Sequence, residues 1–124
     1  MSHLTLIDFF FKSQLTLKFY HWQTSSYARH KSSDSLVDTI IEITDKFMEI
    51  YQGKYGKVND YDTKSVQIGV VDEYSVVAFL REMISFLSSL EKKGILKPSD
   101  TDLLNIRDDL VGQINQTIYL FSFE

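Results

Sequence analysis

Residues 34–49 read DSLVDTIIEITDKFME, a segment whose pattern of apolar and acidic residues predicts how the chain folds. Its apolar residues recur at the spacing of an α-helix and cover nearly half of the helix circumference. The opposite side carries a stripe of carboxylates within an arc of roughly 80°. The acids of the stripe are Asp34, Asp38, Glu42, Asp45 and Glu49. Since no Lys or Arg falls within the stripe, the pattern predicts a helix with one acidic face and one face for a core or a subunit contact.

Apolar periodicity along the rest of the chain predicts three more helices. The four predicted helices cover about 3–25, 33–53, 73–93 and 99–121. Ser32 or Ser33 is the expected cap of the second helix, and Gly94 is the expected residue after the third. Residues 54–71 are polar and punctuated by glycine, which is typical of a long connection. The sequence therefore predicts an all-α protein, a single four-helix bundle over residues 1–124 with a long crossover between its second and third helices.

Composition limits the classes of function. The formal net charge is −4 and the chain has no Lys/Arg-rich run, so a nucleic-acid partner is not expected. The absence of cysteine excludes disulfides and thiolate metal sites and fits a reducing compartment. No apolar run approaches the roughly 18 residues of a membrane helix, and the start of the chain lacks the pattern of a signal peptide. We therefore expect a cytoplasmic protein that does not contact a membrane.

Metal binding is the chemistry that the polar residues favour. The candidate ligands are His21, His30, Asp34, Asp45 and Glu49. Two imidazoles and three carboxylates suit Fe(II), with Zn(II) or Mn(II) as alternatives at the same site. The Glu-x-x-His pairs that build a di-iron centre inside one bundle are absent. Since Asp34 and Asp45 are about 16 Å apart along a helix axis, the acids serve separate sites or meet between two antiparallel chains, and the geometry favours the second arrangement.

The order and spacing of these residues resemble the miniferritins, the DNA-binding proteins from starved cells (Dps). The elements that carry the resemblance are His21-Trp22 at the end of the first helix, His30-x-x-x-Asp34, and Asp45-x-x-x-Glu49 eleven residues after Asp34. The resemblance implies a ferritin-like bundle and a ferroxidase centre at a twofold interface. It implies that His21, His30 and Asp34 of one subunit and Asp45 and Glu49 of the other bind iron, and that Trp22 beside the site has a catalytic role in quenching radicals. It also implies a homo-oligomer, a dodecamer built from twofold dimers, that oxidises Fe(II) with hydrogen peroxide or O2 and stores Fe(III).

This chain departs from the miniferritin pattern in three ways. His30 follows His21 by nine residues, a shorter step than in the family, which leaves open whether His21 reaches the same ion. Gln23 follows Trp22 where the family usually has Asn, and the chain has no Lys-rich tail, so the family's DNA association does not carry over. The alternative hypothesis is a non-catalytic ferritin-like oligomer, a structural or interaction protein whose acidic stripe faces solvent or another protein.

Overall fold

The computed structural model describes residues 2–57 and 65–123. It contains α1 (Ser2–Gln23), α2 (Tyr27–Tyr55), α3 (Val76–Ser88) and α4 (Thr101–Leu120), and these residues include no strand. The predicted all-α class is thereby confirmed. Within the described ranges, no helix has both the length and the apolar character that a bilayer crossing requires.

The second helix begins six residues before its predicted start at residue 33, so that boundary was wrong. Its N-cap is Ser26, whose hydroxyl accepts a hydrogen bond from the Arg29 backbone N–H at 3.2 Å. Ser32 and Ser33 lie inside the helix instead, where their hydroxyls donate to backbone carbonyls one turn back. The turn between α1 and α2 is therefore short, and His30 belongs to α2 itself.

The third helix is shorter than the predicted range 73–93. Before it, the carboxylate of Asp72 accepts a hydrogen bond from the Ser75 backbone N–H at 2.9 Å and holds the chain in a turn. After it, the backbone N–H of Ser89 bonds to the carbonyl of Phe86, three residues back, at 3.1 Å. The helical pattern tightens there into successive turns that end near Gly94, whose φ of 73° suits glycine. The apolar rhythm of the sequence continues through these turns, which is why it overestimated the helix.

The helices enclose one apolar core. α1 packs against α2, α2 against α4, and α4 against α3. The Phe10 and Phe47 rings meet edge to face across α1 and α2, 5.4 Å apart. On the other side of α1, the Phe9 ring stacks on Phe86 of α3 at 4.3 Å. The largest fully buried side chains come from all four helices and the turn before α4: Leu6, Phe10, Leu17, Tyr20, Ile40, Phe47, Leu80, Leu87, Leu90, Leu96, Leu103 and Leu110.

The crossover from α2 to α3 returns along α1. The Gly69 backbone N–H donates to the Thr16 hydroxyl at 2.8 Å. A Cβ atom at Gly69 would lie 3.2 Å from the Thr16 side chain, so glycine allows the close approach. Residues 58–64, which hold the polar Asn59-Asp60 pair of the predicted connection, lie outside the described residues.

Candidate metal site

The short turn between α1 and α2 brings the two candidate histidine ligands together. The rings of His21 and His30 stack with centroids 4.0 Å apart and an angle of 17° between their planes. Nδ1 of His21 lies 2.7 Å from the backbone carbonyl oxygen of His30, and Nδ1 of His30 lies 2.9 Å from that of His21. The nine-residue step therefore allows the two rings to meet.

These two hydrogen bonds determine which ring nitrogen carries the proton. A carbonyl oxygen only accepts hydrogen bonds, so Nδ1 must be the donor in both rings. In the neutral imidazole, Nε2 then holds a free lone pair. Metal-binding histidines are usually held in this way, with the second ring nitrogen donating to a carbonyl or carboxylate. In both neutral rings Nε2 is therefore the nitrogen whose lone pair is free to accept a hydrogen bond or to bind a cation.

Asp34, the third candidate ligand in this region, lies one helical turn after His30. Its Oδ1 atom is 3.7 Å from Nε2 of His21 and 3.1 Å from Nζ of Lys18. The hydrogen bond from the Lys18 ammonium, together with its charge, lowers the pKa of the Asp34 carboxyl. Two ligand atoms bound at about 2.1 Å to one ion, at angles of about 90–120°, are roughly 3.0–3.6 Å apart. The observed distance of 3.7 Å between His21 and Asp34 is slightly longer than this range, and the Lys18 ammonium contacts the same oxygen atom.

Asp45 and Glu49 form a second acidic group further along α2. Both side chains are exposed, and the described residues supply no Lys, Arg or His ion-pair partner to either. The pKa of Glu49 is raised because its carboxyl is hydrogen-bonded to Asp45 and repelled by the same carboxylate. A bound cation relieves such repulsion.

The five predicted ligands thus form two groups on one chain. The imidazole half comprises His21, His30 and Asp34, and the carboxylate half comprises Asp45 and Glu49. The helix rise separates the halves by about 16 Å. In ranges 2–57 and 65–123, no group of three or more His, Asp or Glu is placed to hold a metal ion. This applies to His21, His30 and Asp34 by themselves as well as to all five residues, so one chain alone does not form a metal site in the described ranges.

An exposed apolar surface lies between the two halves. On α1, Phe11 and Leu15 lie four residues apart and are 46 and 43% exposed. On α2, Ile41 is 51% exposed and lies near the midpoint between the halves. We call these three residues the α1–α2 apolar face. The face borders a groove of about 490 Å³, which Phe11 and Ile41 line together with Asp45 of the carboxylate half.

The remaining predicted site residue, Trp22, directly follows His21 at the end of α1, and its side chain is 67% exposed. The other two acids of the stripe, Asp38 and Glu42, are also exposed. Sequence reasoning missed Lys18 as a contact of the imidazole half. The available signal was its position one helical turn before His21, which puts both side chains on the same side of α1.

The structure is an all-α bundle whose five candidate ligands lie in two separate groups. Residues 21–121, a range that includes all five candidate ligands, match the family of unknown function DUF5856, and the chain belongs to that family. The chain is also similar to an uncharacterized 14.6 kDa protein from the mobD-ri intergenic region of enterobacteria phage T4. The two are 28% identical over 104 residues, a span that covers 84% of this chain and 75% of the phage protein. No solved structure shows a significant match to the chain.

Proposed function

We propose that this protein is a ferritin-like iron protein that oxidises Fe(II) at a site shared by two copies of the chain. The observation that carries the proposal is the reciprocal pairing of His21 and His30, which puts the proton of each ring on Nδ1. Nε2 of His21 lies 3.7 Å from the Asp34 carboxylate, and imidazole nitrogen with carboxylate oxygen is a ligand combination that suits a transition metal rather than Mg²⁺ or Ca²⁺. A purely structural histidine pair does not need this carboxylate next to it.

The second half of the site comes from a second copy in this proposal. Two α2 helices that cross antiparallel about a twofold axis near Ile41 bring residue 45 of one chain to the level of residue 34 of the other. Such a contact is isologous, so it forms two identical sites at once. The α1–α2 apolar face surrounds this axis, and its exposed Leu15 and Ile41 supply the apolar surface that a subunit contact needs.

The combined ligand set explains how Fe(II) becomes Fe(III). Three carboxylates stabilise the higher charge of Fe(III), while imidazole nitrogens bind Fe(II) well before it is oxidised. Electrons pass from Fe(II) to hydrogen peroxide or O2, and Trp22, exposed next to His21, takes up stray radical equivalents. The oxidised iron is then stored within a closed homo-oligomer, for which the miniferritin resemblance implies a dodecamer. Zn(II) or Mn(II) are alternative ions for the same ligands.

A second candidate is a non-catalytic ferritin-like oligomer. The specific observation in its favour is the ion pair between Lys18 and Asp34, which neutralises the imidazole half without a metal. In that case the α1–α2 apolar face joins subunits and the acids meet solvent or another protein.

Anaerobic titration with Fe(II), followed by addition of oxidant, separates the two candidates. We expect rapid oxidation by the wild type and a rate close to that of free iron for Asp45→Ala. The matched control is Asp38→Ala, which removes an acid of the same stripe that belongs to neither half, and which we expect to oxidise iron as the wild type does. Equal rates for the wild type and Asp45→Ala would rule out the assigned site.

A further inference from the structure

We propose that Lys18 is a built-in competitor of the metal: its ammonium group occupies the imidazole half and must leave when an ion binds. The inference rests on the proposed function, since it concerns the same ligands. It assigns a role to Lys18, a residue outside the five candidate ligands.

The geometry of one oxygen atom carries the inference. Oδ1 of Asp34 is the atom that faces Nε2 of His21, at 3.7 Å, and it is also the atom that Nζ of Lys18 contacts, at 3.1 Å. An ion bonded to Oδ1 and Nε2 at about 2.1 Å would lie within a few ångströms of that ammonium. Two cations this close repel each other strongly. The metal and the ammonium therefore cannot share Oδ1 in the observed arrangement.

Lys18 has a way out of the site. Its side chain is 38% exposed, and its four-carbon stem can rotate the ammonium into solvent. Before metal binds, Lys18 compensates the charge of Asp34. After metal binds, the ion takes over that role and the lysine is released. Lys18 therefore weakens the affinity of the imidazole half for every cation.

Zn(II) binding to the full-length protein, measured by calorimetry, tests the inference without any redox step. We expect Lys18→Met, which keeps the apolar stem and removes the charge, to bind Zn(II) about three- to tenfold more tightly than the wild type. Lys18→Gln should show the same direction, because it also lacks the charge. The matched control is Lys12→Met on the same helix, where Lys12 lines a groove with Phe79 and Phe86 of α3. We expect this control to bind Zn(II) as the wild type does.

Asp34→Asn distinguishes the two ways in which the experiment can fail. If Asp34→Asn weakens Zn(II) binding but both Lys18 variants match the wild type, Lys18 is no competitor, and the proposed metal site stands. If neither the wild type nor the Lys18 variants bind Zn(II), the metal site itself is refuted and this inference with it. If the Lys18 variants bind Zn(II) more tightly than the wild type and Lys12→Met does not, the result supports both the metal site and the role of Lys18 as a competitor.

Discussion

Asparagine in place of Asp100 tests the polar network that ties the end of α2 to the start of α4. The Asp100 side chain is 4% exposed and lies 2.7 Å from the Lys54 ammonium. It also accepts hydrogen bonds from the Tyr55 hydroxyl and from the Lys97 backbone N–H. Because Asp100→Asn keeps the shape of the side chain and removes its charge, the variant isolates the electrostatic part of the network.

The lowered pKa of Asp100 indicates how much stability the Asp100→Asn variant should lose. Burial raises this pKa, but the hydrogen bonds from Lys54, Tyr55 and the Lys97 backbone outweigh burial and lower it from 3.8 to about 2. At about 1.4 kcal/mol per pKa unit, the full shift is worth about 2–3 kcal/mol. Since the Lys54 side chain is 33% exposed, solvent screens part of this interaction, and we expect a loss of about 1–2 kcal/mol at pH 7.

The sign of the pH dependence follows from the lowered pKa. The folded state binds the proton less readily than the unfolded state, so the contribution is present above about pH 4 and is lost as the pH falls toward 2. Urea unfolding of both proteins, followed by circular dichroism, gives the difference in the free energy of unfolding. We expect this difference to fall to about half between pH 7 and pH 3.

Asp102→Asn is the control, because the Asp102 carboxylate also contacts Lys54 but is half exposed, and its effect should be smaller. Equal stability of Asp100→Asn and the wild type at pH 7, or a difference that does not change with pH, would refute the reasoning.

Two further predictions concern the core and the apolar face. Phe47 is 1% exposed, so Phe47→Ala should lower the free energy of unfolding by about 3–5 kcal/mol in urea titrations, and a loss below about 1 kcal/mol would contradict its place in the core. Ile41→Arg puts a charge at the proposed twofold axis, so sedimentation equilibrium should show monomers whose circular dichroism matches the wild type. Unchanged assembly of that variant would mean that the chains meet elsewhere.

The sequence predicted α2 well in its middle and poorly at its start. The apolar spacing of residues 34–49 is enough to predict both the helix and its buried face, and Leu36, Ile40 and Phe47 are indeed buried. The start could not be predicted because Ser26 and Ser33 have the same capping chemistry. What selects Ser26 is the position of the Arg29 backbone N–H, which the folded turn determines.

The candidate site was also predictable from the sequence only in part. The separation of Asp34 from Asp45 follows from the fixed rise of one helix, so the sequence was sufficient to predict that a single chain cannot join them. The contact of His21 with His30 depends on the path of the turn between two helices, and the spacing left it open. Lys18 reaches Asp34 from a neighbouring helix. Its position one turn before His21 puts it on the same side of α1, but the spacing does not show that Asp34 of α2 lies opposite.

In the proposed site, the imidazole half of one chain combines with the carboxylate half of another, and this sharing can be tested by mixing two inactive variants. One variant, His21→Ala with Asp34→Asn, lacks the first half, and the other, Asp45→Asn with Glu49→Gln, lacks the second. Each should oxidise Fe(II) no faster than free iron. In randomly mixed dimers one site of each hybrid is intact, so refolding the two together should restore about a quarter of the wild-type activity. If each chain binds iron alone, the mixture stays as inactive as its components, and that result would contradict the shared site.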